Sequence, residues 1–192
     1  MKRYIKSAIG NILDEDGQDV QDTLHNPNAP TNALIALAKS NNESIQRDVA
    51  NHPAVPYQAL RILSKSSNAR VRLTVADSLQ TPSEILRQMF SDKNLKIRYA
   101  AICNPNVSEE LLRELATSSD WRTREAVAKN YSTPTDVLIQ LSKDPHWVVQ
   151  RGVAENQHTP DDVLNALEAD KNPNIAGKAA NTIWRKSRYS AS

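Results

Sequence analysis

The sequence predicts an all-α protein of the α-solenoid class, built from six two-helix repeats of 26 residues. Leucine recurs at this spacing without interruption, at Leu34, Leu60, Leu86, Leu112, Leu138 and Leu164. A column of small aliphatic residues keeps the same period, at Val49, Val75, Ala101, Val127, Val153 and Ala179. Self-similarity at a fixed period is typical of a solenoid, in which each repeat buries its apolar face only against its neighbours.

The two columns divide the chain into three segments. Residues 25–180 hold the six repeats, which begin at residues 25, 51, 77, 103, 129 and 155. Residues 1–24 contain apolar residues but lose the columns, so we expect a degenerate capping unit there. We expect residues 181–192 to complete the last helix through Ile183 and Trp184 and to end in a frayed basic tail.

The first helix of each repeat is predicted from the leucines, because a second apolar column follows them at the i, i+3 spacing of a helix face. A proline stands at the start of this helix in five repeats, at Pro30, Pro56, Pro82, Pro134 and Pro160. Where threonine precedes the proline, as in Thr133-Pro134, the pattern predicts threonine as the N-cap and proline as the first helical residue. The fourth repeat has Val107-Ser108 instead, which predicts Ser108 as the cap.

The second helix of each repeat carries the small aliphatic column and follows another polar column. Asparagine or aspartate is predicted to cap it at Asn42, Asn68, Asn94, Asp120 and Asn172, with His146 as the exception. Asn104, Asn130 and Asn156 come after the second helix. Because the chain has only four glycines, we expect these asparagines to end the helix in the left-handed conformation.

Composition argues against disulfides, metal sites and membrane spans. The single cysteine, Cys103, excludes an internal disulfide and a cysteine-ligated zinc site. The four histidines, His25, His52, His146 and His158, occupy unrelated repeat positions and form no ligand set. No stretch approaches the roughly 20 apolar residues of a membrane helix. We therefore expect a cytoplasmic protein with no cofactor and no metal.

The fourth and fifth repeats carry a composite motif. It reads Asn104-Pro105-Asn106, then Asp120-Trp121-Arg122-Thr123-Arg124-Glu125-Ala126-Val127-Ala128, and it recurs as Asp144-Pro145-His146-Trp147-Val148-Val149. This wording resembles the leucine-rich repeat variant (LRV) family over residues 25–180, with weaker matches in the second and third repeats. The resemblance implies an armadillo- or HEAT-like right-handed superhelix, in which one helix of a pair can be of the 3₁₀ type. It also implies an interaction scaffold, commonly bacterial.

Nine basic residues of the second to fourth repeats align in three columns. The first column is Arg61, Arg87 and Arg113, the second is Arg70, Lys96 and Arg122, and the third is Arg72, Arg98 and Arg124. One interpretation is a surface for an anionic partner, either an acidic protein surface or nucleic-acid phosphates. The other is a structural face whose arginines pair with neighbouring carboxylates. A net charge of +2 does not by itself favour nucleic acid.

Two tryptophans, Trp121 and Trp147, share a further column position. They are candidates for an exposed aromatic anchor of the kind enriched at protein interfaces. The alternative is that they close the gap between adjacent repeats.

No catalytic motif accompanies the repeats: the sequence lacks a nucleophile–base pair, a glycine-rich phosphate loop and an HEXXH motif. The leading hypothesis is a non-enzymatic scaffold that binds a protein through the middle repeats. The first alternative is nucleic-acid binding through the basic columns. A remote alternative is a HEAT-like DNA glycosylase, which would need Asp120, Trp121 and Arg124 to converge on a groove.

Overall fold

The structure is a computed structural model that describes residues 5–6, 12–13 and 20–189, with side chains described for residues 20–188. It divides into two compact halves, an N-terminal half (Met1–Ile97) and a C-terminal half (Arg98–Ser192). Most of the predicted capping unit (residues 1–4, 7–11 and 14–19) and the last three residues lie outside the described residues.

The N-terminal half contains a small strand pair followed by helices. Strands β1 (Ile5–Lys6) and β2 (Ile12–Leu13) pair antiparallel, with Ile5 opposite Leu13. The helices that lie wholly within this half are α1 (Val20–His25), α2 (Thr31–Leu37), α3 (Glu43–Ala50), α4 (Tyr57–Leu63), α5 (Ala69–Asp77) and α6 (Ser83–Met89). Among them α2 packs on α4 and α3 packs on α5, so like helices of consecutive repeats are neighbours.

The C-terminal half continues the same alternation. Helix α7 (Leu95–Cys103) enters it, and it is followed by α8 (Glu109–Leu115), α9 (Trp121–Lys129), α10 (Thr135–Leu141), α11 (Trp147–Glu155), α12 (Asp161–Glu168) and α13 (Pro173–Tyr189). Helix α9 packs on α11, and α11 packs on α13. Both helices of each pair are α-helices, and no 3₁₀ helix occurs among residues 20–189. The predicted all-α solenoid class is confirmed.

The core is made of the apolar columns that the period predicts. All six leucines of the first column are almost completely buried, and the small aliphatic column is fully buried. In the column three residues after the leucines, Leu115 is half-buried and the other members are buried. Helices of seven to nine residues are marginal in isolation, so this burial between neighbouring repeats is what stabilises them.

The threonine–proline pairs act differently from the expectation. Pro134 has an extended backbone and occupies the N-cap position itself, with no side-chain capping bond. The Thr133 hydroxyl donates to the carbonyl of Val127, at 2.6 Å, in the last turn of the preceding helix. Thr81 and Thr159 donate in the same way. These threonines therefore close the helix before them, because the free carbonyls there lie within reach of the hydroxyl.

The other predicted N-caps are confirmed. The Ser108 side chain accepts from the backbone N–H of Leu111 at the start of α8. Asn42 and its column mates accept from the N–H two residues on, at 2.8–3.0 Å. His146, the exception in sequence, fills the same role through Nδ1, which accepts from Val148 at 3.4 Å.

The asparagines after the second helices join consecutive repeats instead of adopting the left-handed conformation. Asn130 has extended backbone angles (φ −69°, ψ 127°), so the left-handed expectation is wrong. Its amide donates to the carbonyls of Ile102 and Asn104, at 2.6 and 3.0 Å. Asn156 does the same to Ala128 and Asn130. The amide bridges a junction because it can donate to the preceding repeat while its oxygen accepts from its own turn.

Other side chains serve the same position where asparagine is absent. We call this set the junction column: His52, Ser78, Asn104, Asn130, Asn156 and Thr182. The Ser78 hydroxyl donates to the Ala50 carbonyl and the Thr182 hydroxyl donates to the Ala154 carbonyl. The His52 Nε2 lies 3.0 Å from the carbonyl of Asn26. The position thus requires a polar side chain that can reach a backbone carbonyl, and several residue types meet this requirement.

Helix α13 is 17 residues long and continues to Tyr189, past the expected end near Trp184. Lys186 stands where earlier repeats have proline, so nothing breaks the helix there. Its ammonium donates to the carbonyl of Thr159 and lies 2.5 Å from Asp161, which fixes the helix against α12. The frayed-tail expectation is therefore wrong for residues 185–189. Neither α13 nor any other helix within residues 20–189 has the length and apolar character needed to cross a bilayer.

Replacing Asn130 with alanine should lower the free energy of unfolding by about 2–3 kcal/mol, because two buried carbonyls lose their donor. Urea denaturation of the purified protein measures this. Asn165→Ala, on the exposed face of α12, is the matched control and should change stability by less than about 0.5 kcal/mol. Equal effects from both variants would contradict the junction role.

The two glycines of α11 and α13 predict opposite responses to alanine. A Cβ at Gly177 meets no atom within 4 Å, so Gly177→Ala should stabilise the protein by about 1 kcal/mol through helix propensity. A Cβ at Gly152 would lie 3.1 Å from the Cβ of Ala128, so Gly152→Ala should gain less or destabilise. Thermal melts followed by circular dichroism compare the two. A larger gain at Gly152 would show that α9 and α11 can separate freely.

Candidate interaction surface

Two arginines of the third basic column, Arg72 and Arg124, make contacts that hold adjacent repeats together. The Arg124 guanidinium donates from Nε and Nη2 to both oxygens of Asp144, at 2.6 and 2.9 Å. Its Nη1 donates to the carbonyls of Ser118 and Ser119. We call this arrangement the arginine clamp. It joins the second helix of one repeat to the turn after the first helix of the next, and its side chains are largely buried.

The arginine clamp recurs in the N-terminal half. Arg72 donates from Nε and Nη2 to Asp92, at 2.7 and 3.1 Å, and from Nη1 to the carbonyl of Ser66. Glutamine replaces arginine in the first and fifth repeats, and Gln46 and Gln150 donate to the carbonyl six residues before them, as the arginines do. Arg98 occupies the same column and is half-buried. Neutral glutamine makes the same bond to the backbone, so that bond does not require a charge at this position.

The clamps lower the pKa of their aspartates. The hydrogen bond from Arg72 is the largest effect on Asp92, and it outweighs burial, which raises the pKa. At Asp144 burial is the largest single effect and raises the pKa, but the hydrogen bonds from Arg124 and from the His146 backbone, with the Arg124 charge, outweigh it. Both carboxylates are therefore ionised, and hydrogen-bonded, over the neutral range.

The first and second columns are exposed and lie on different helices. Arg61, Arg87 and Arg113 lie on first helices, and Arg70, Lys96 and Arg122 lie on second helices. Arg113 is held between two carboxylates, 3.3 Å from Glu109 and 2.9 Å from Asp136. Arg70 lies 3.7 Å from Glu43. Within each half, the first and second columns are therefore carried by different helices, while Arg72 and Arg124 of the third column are held in the clamps.

Trp121 packs between repeats. Its ring stacks on the ring of His146 with centroids 4.1 Å apart and an interplanar angle of 5°. The guanidinium of Arg122 lies 4.5 Å from the Trp121 centroid. The histidine that departs from the asparagine column therefore has two tasks, since it caps α11 and covers the tryptophan.

Trp147 is the more open of the two, with 41% of its surface exposed. The guanidinium of Arg151, one turn along α11, lies 5.4 Å from the ring centroid. Tryptophan and arginine are the residues most enriched among interface hot spots. Exposed Trp147 and half-buried Arg151 therefore form a pair of the residue types found at such hot spots.

A closed set of ion pairs follows on the same helices. Glu125 pairs with Lys129 (3.1 Å) and Arg151 (3.6 Å), while Glu155 pairs with Lys129 (3.5 Å) and Arg151 (4.0 Å). Lys178 of α13 adds a further contact to Glu155, at 3.0 Å. We call these five residues the charged ring. It links α9, α11 and α13 and holds three cations against two anions.

The charged ring keeps Lys129 protonated. Burial would lower the pKa of Lys129, but the hydrogen bond to Glu125 and the charges of Glu125 and Glu155 outweigh it and raise the pKa. Burial would raise the pKa of Glu155, but Lys178, Lys129 and Arg151 lower it. A lysine that acts as a base or nucleophile needs a lowered pKa, so Lys129 is unsuited to that role.

A cavity of about 240 Å³ lies beside the charged ring, lined by Tyr99, Cys103, Lys129, Tyr131, Glu155 and Asn156. Burial raises the pKa of Tyr99 to about 12, so its phenol is neutral. The volume is below the roughly 300 Å³ at which small-molecule sites begin. The cavity is large enough to accept one side chain of a bound protein.

The residues of the glycosylase alternative do not converge. Asp120 caps α9, Arg124 is held in the arginine clamp, and Trp121 is covered by His146. Within residues 20–188, no three histidine, cysteine, aspartate or glutamate side chains come together in a group that could hold a metal.

Replacing Asp144 with asparagine should destabilise the protein by about 3–5 kcal/mol at neutral pH, because it leaves the Arg124 charge largely buried without its partner. The wild-type aspartate has a pKa below its ordinary 3.8, so its contribution is complete above that pH and is lost as the pH falls through the folded pKa. The variant should therefore lose less stability than wild type between neutral pH and about pH 3. Urea titrations across this range test both points, and an unchanged acid slope would contradict the clamp.

Comparisons with known proteins find distant structural matches. No protein-family model matches the chain, and no curated protein matches its sequence. Among solved structures, the chain is similar to a leucine-rich repeat variant with a novel repetitive structural motif, at 24% identity and a TM-score of 0.35, over 80% of this chain and 71% of that one. It is also similar to an engineered protein, at 16% identity and a TM-score of 0.37, over 85% of this chain and 62% of that one.

Proposed function

We propose that the protein is a non-enzymatic scaffold that binds another protein through the second helices of its C-terminal half. The binding face consists of Trp121, Arg122, Trp147, Arg151 and Lys178. The exposure of Trp147 next to Arg151 is the observation that carries this proposal. A large aromatic side chain left partly in water gains free energy when a partner covers it.

This face differs from the one that the sequence suggested. The sequence pointed to arginine columns in the second to fourth repeats, but Arg72 and Arg124 are occupied by aspartates and backbone carbonyls. Of the sequence candidates, Arg122, Trp121 and Trp147 are those that lie on the proposed face. Arg151 and Lys178 join them because the fold brings their helices together.

Nucleic-acid binding through the basic columns has less support. The phosphate backbone needs a continuous row of uncompensated cations. Arg72 and Arg124 are buried in clamps, and Arg113 lies between two carboxylates that would repel a phosphate.

Catalysis also has less support, because the titratable groups next to the proposed face are paired with one another. Lys129 and Glu155 are both held in their charged forms by the charged ring. A lysine with a raised pKa and a glutamate with a lowered pKa are poorly suited to act as base and acid at neutral pH.

Photo-crosslinking from position 147 tests the proposal. A photoreactive phenylalanine analogue replaces Trp147, and the protein is irradiated in extract of the native host and then analysed by mass spectrometry. We expect one or a few crosslinked proteins whose capture by the unmodified chain is lost with Trp147→Ala.

Trp184 provides the matched control, since it is an exposed tryptophan with an arginine stacked on it, on α13 outside the proposed face. Trp184→Ala should leave the capture unchanged. Capture that survives Trp147→Ala, or that is lost equally with both variants, would contradict the proposed face.

A further inference from the structure

Arg151 differs from the clamp arginines in how little it bonds. The guanidinium of Arg124 makes four hydrogen bonds, to Asp144 and to two carbonyls. The guanidinium of Arg151 makes no hydrogen bond to any side chain or carbonyl among residues 20–188; its nearest carboxylate oxygens lie at 3.6 and 4.0 Å. Its Nε–H is shielded from solvent and has no acceptor. Buried donors are normally satisfied, so Arg151 is an arginine whose bonding is incomplete.

The charges around Arg151 present cations outward. The two carboxylates of the charged ring expose 13% (Glu125) and 27% (Glu155) of their side chains. Lys178 exposes 52%, and Arg122 on the neighbouring helix exposes 56%. The most exposed charges of the face are therefore positive: Asp120, which pairs with Arg122, exposes 40%, and the two carboxylates of the charged ring lie at the same depth as Arg151 or deeper.

The surface next to Arg151 is open to an approaching chain. Gly177 stands in the column position of Arg151 on the next second helix, and no atom lies within 4 Å of where its Cβ would be. A backbone can approach α13 there and bring a side chain to Lys178. One turn before Arg151 on α11, the exposed ring of Trp147 offers an apolar contact.

We propose that Arg151 binds a carboxylate of the partner protein, so that the partner segment is acidic and extended, with an apolar residue on Trp147 and a second carboxylate on Lys178. This inference rests on the proposed function and adds the chemistry of the partner. A carboxylate suits Arg151 because the two Nη groups, which have no hydrogen-bond acceptor within the charged ring, could donate two parallel N–H···O bonds to it end-on, without reaching the shielded Nε.

The spacing of the helices fits such a segment. Packed helices lie roughly 8–10 Å apart, and an extended chain of the polyproline II type advances about 3.1 Å per residue with three residues per turn. Every third residue of the segment would then meet the next second helix. A segment of about eight residues spans α9, α11 and α13.

A peptide titration tests the proposal directly. A fluorescein-labelled peptide of about eight residues, with glutamate at every third position and leucine at the others, is compared with one in which glutamine replaces glutamate, by fluorescence anisotropy at low salt. We expect the glutamate peptide to bind about tenfold more tightly, because a charge-assisted bidentate pair is stronger than a neutral one. The Arg151 Nε–H resonance should shift on titration with the glutamate peptide and not with the glutamine peptide.

Variants locate the effect. Arg151→Gln should remove the difference between the two peptides, and Arg151→Lys should keep part of it, since the charge remains without the bidentate geometry. Arg113→Gln, at an exposed arginine on a first helix, is the matched control and should bind as wild type does. Circular dichroism melts confirm that each variant is folded.

Three results would overturn the proposal: no glutamate preference up to about 1 mM peptide, a preference that survives Arg151→Gln, or Arg151-dependent binding of a single-stranded oligonucleotide tighter than that of the peptide. The crosslinking experiment separates this failure from failure of the proposed function. If Trp147-dependent capture persists in Arg151→Gln, the face binds a protein by other contacts. If Trp147-dependent capture is absent altogether, the proposed function fails as well.

Discussion

A polar side chain that reaches back to a backbone carbonyl of the preceding repeat is the contact on which the rest of this structure depends. Each helix is too short to be stable alone, so its position must be set by the neighbouring repeat. The apolar columns supply the attraction between neighbours but tolerate sliding, since hydrophobic burial has little directionality. The bonds from Asn130 and Asn156 remove that freedom, because each amide meets two buried carbonyls at once. With the register fixed, α9, α11 and α13 stand side by side, and side chains from three repeats form the charged ring.

The sequence predicts the repeat period, the buried columns and the N-caps of the second helices, because these depend on spacing within one helix. It mispredicts the polar residues that act between repeats. Rules for the ends of single helices assign Thr133 to the start of α10 and Asn130 to the end of α9. Both residues instead bond to groups outside those helices. A side chain that can satisfy a local cap can satisfy a distant carbonyl equally well, so the local pattern does not decide between them. The strict recurrence of asparagine at 26 residues is the signal that could have indicated a contact between repeats.

The candidate site was predictable in part. The tryptophan column predicts part of the proposed face, whereas the aligned arginines Arg72 and Arg124 belong to the arginine clamps and not to that face. Glutamine at positions 46 and 150 of the third column is a signal in the sequence against an anion-binding role, because its side chain carries no charge. The charged ring has a signal as well: glutamate at 125 faces arginine at 151, and lysine at 129 faces glutamate at 155, each one period apart. Exposure and unmet hydrogen bonds, which distinguish Arg151 from Arg124, depend on side-chain placement and cannot be obtained from spacing.

The arginine clamps have a consequence for how such an array responds to its surroundings. In a linear array the coupling between neighbours sets how many repeats unfold together. The clamps reinforce the contacts from the second repeat to the third and from the fourth to the fifth. From the first repeat to the second, neutral Gln46 meets the Ser66 hydroxyl instead. At that joint Glu43 also accepts from the Asn68 amide and lies near Arg70, so a carboxylate contributes there as well. Acid that protonates the clamp aspartates weakens the two clamped joints in particular, because each clamp holds a largely buried pair. The protein is then expected to lose cooperativity, separating into independently folded segments, before its helices melt.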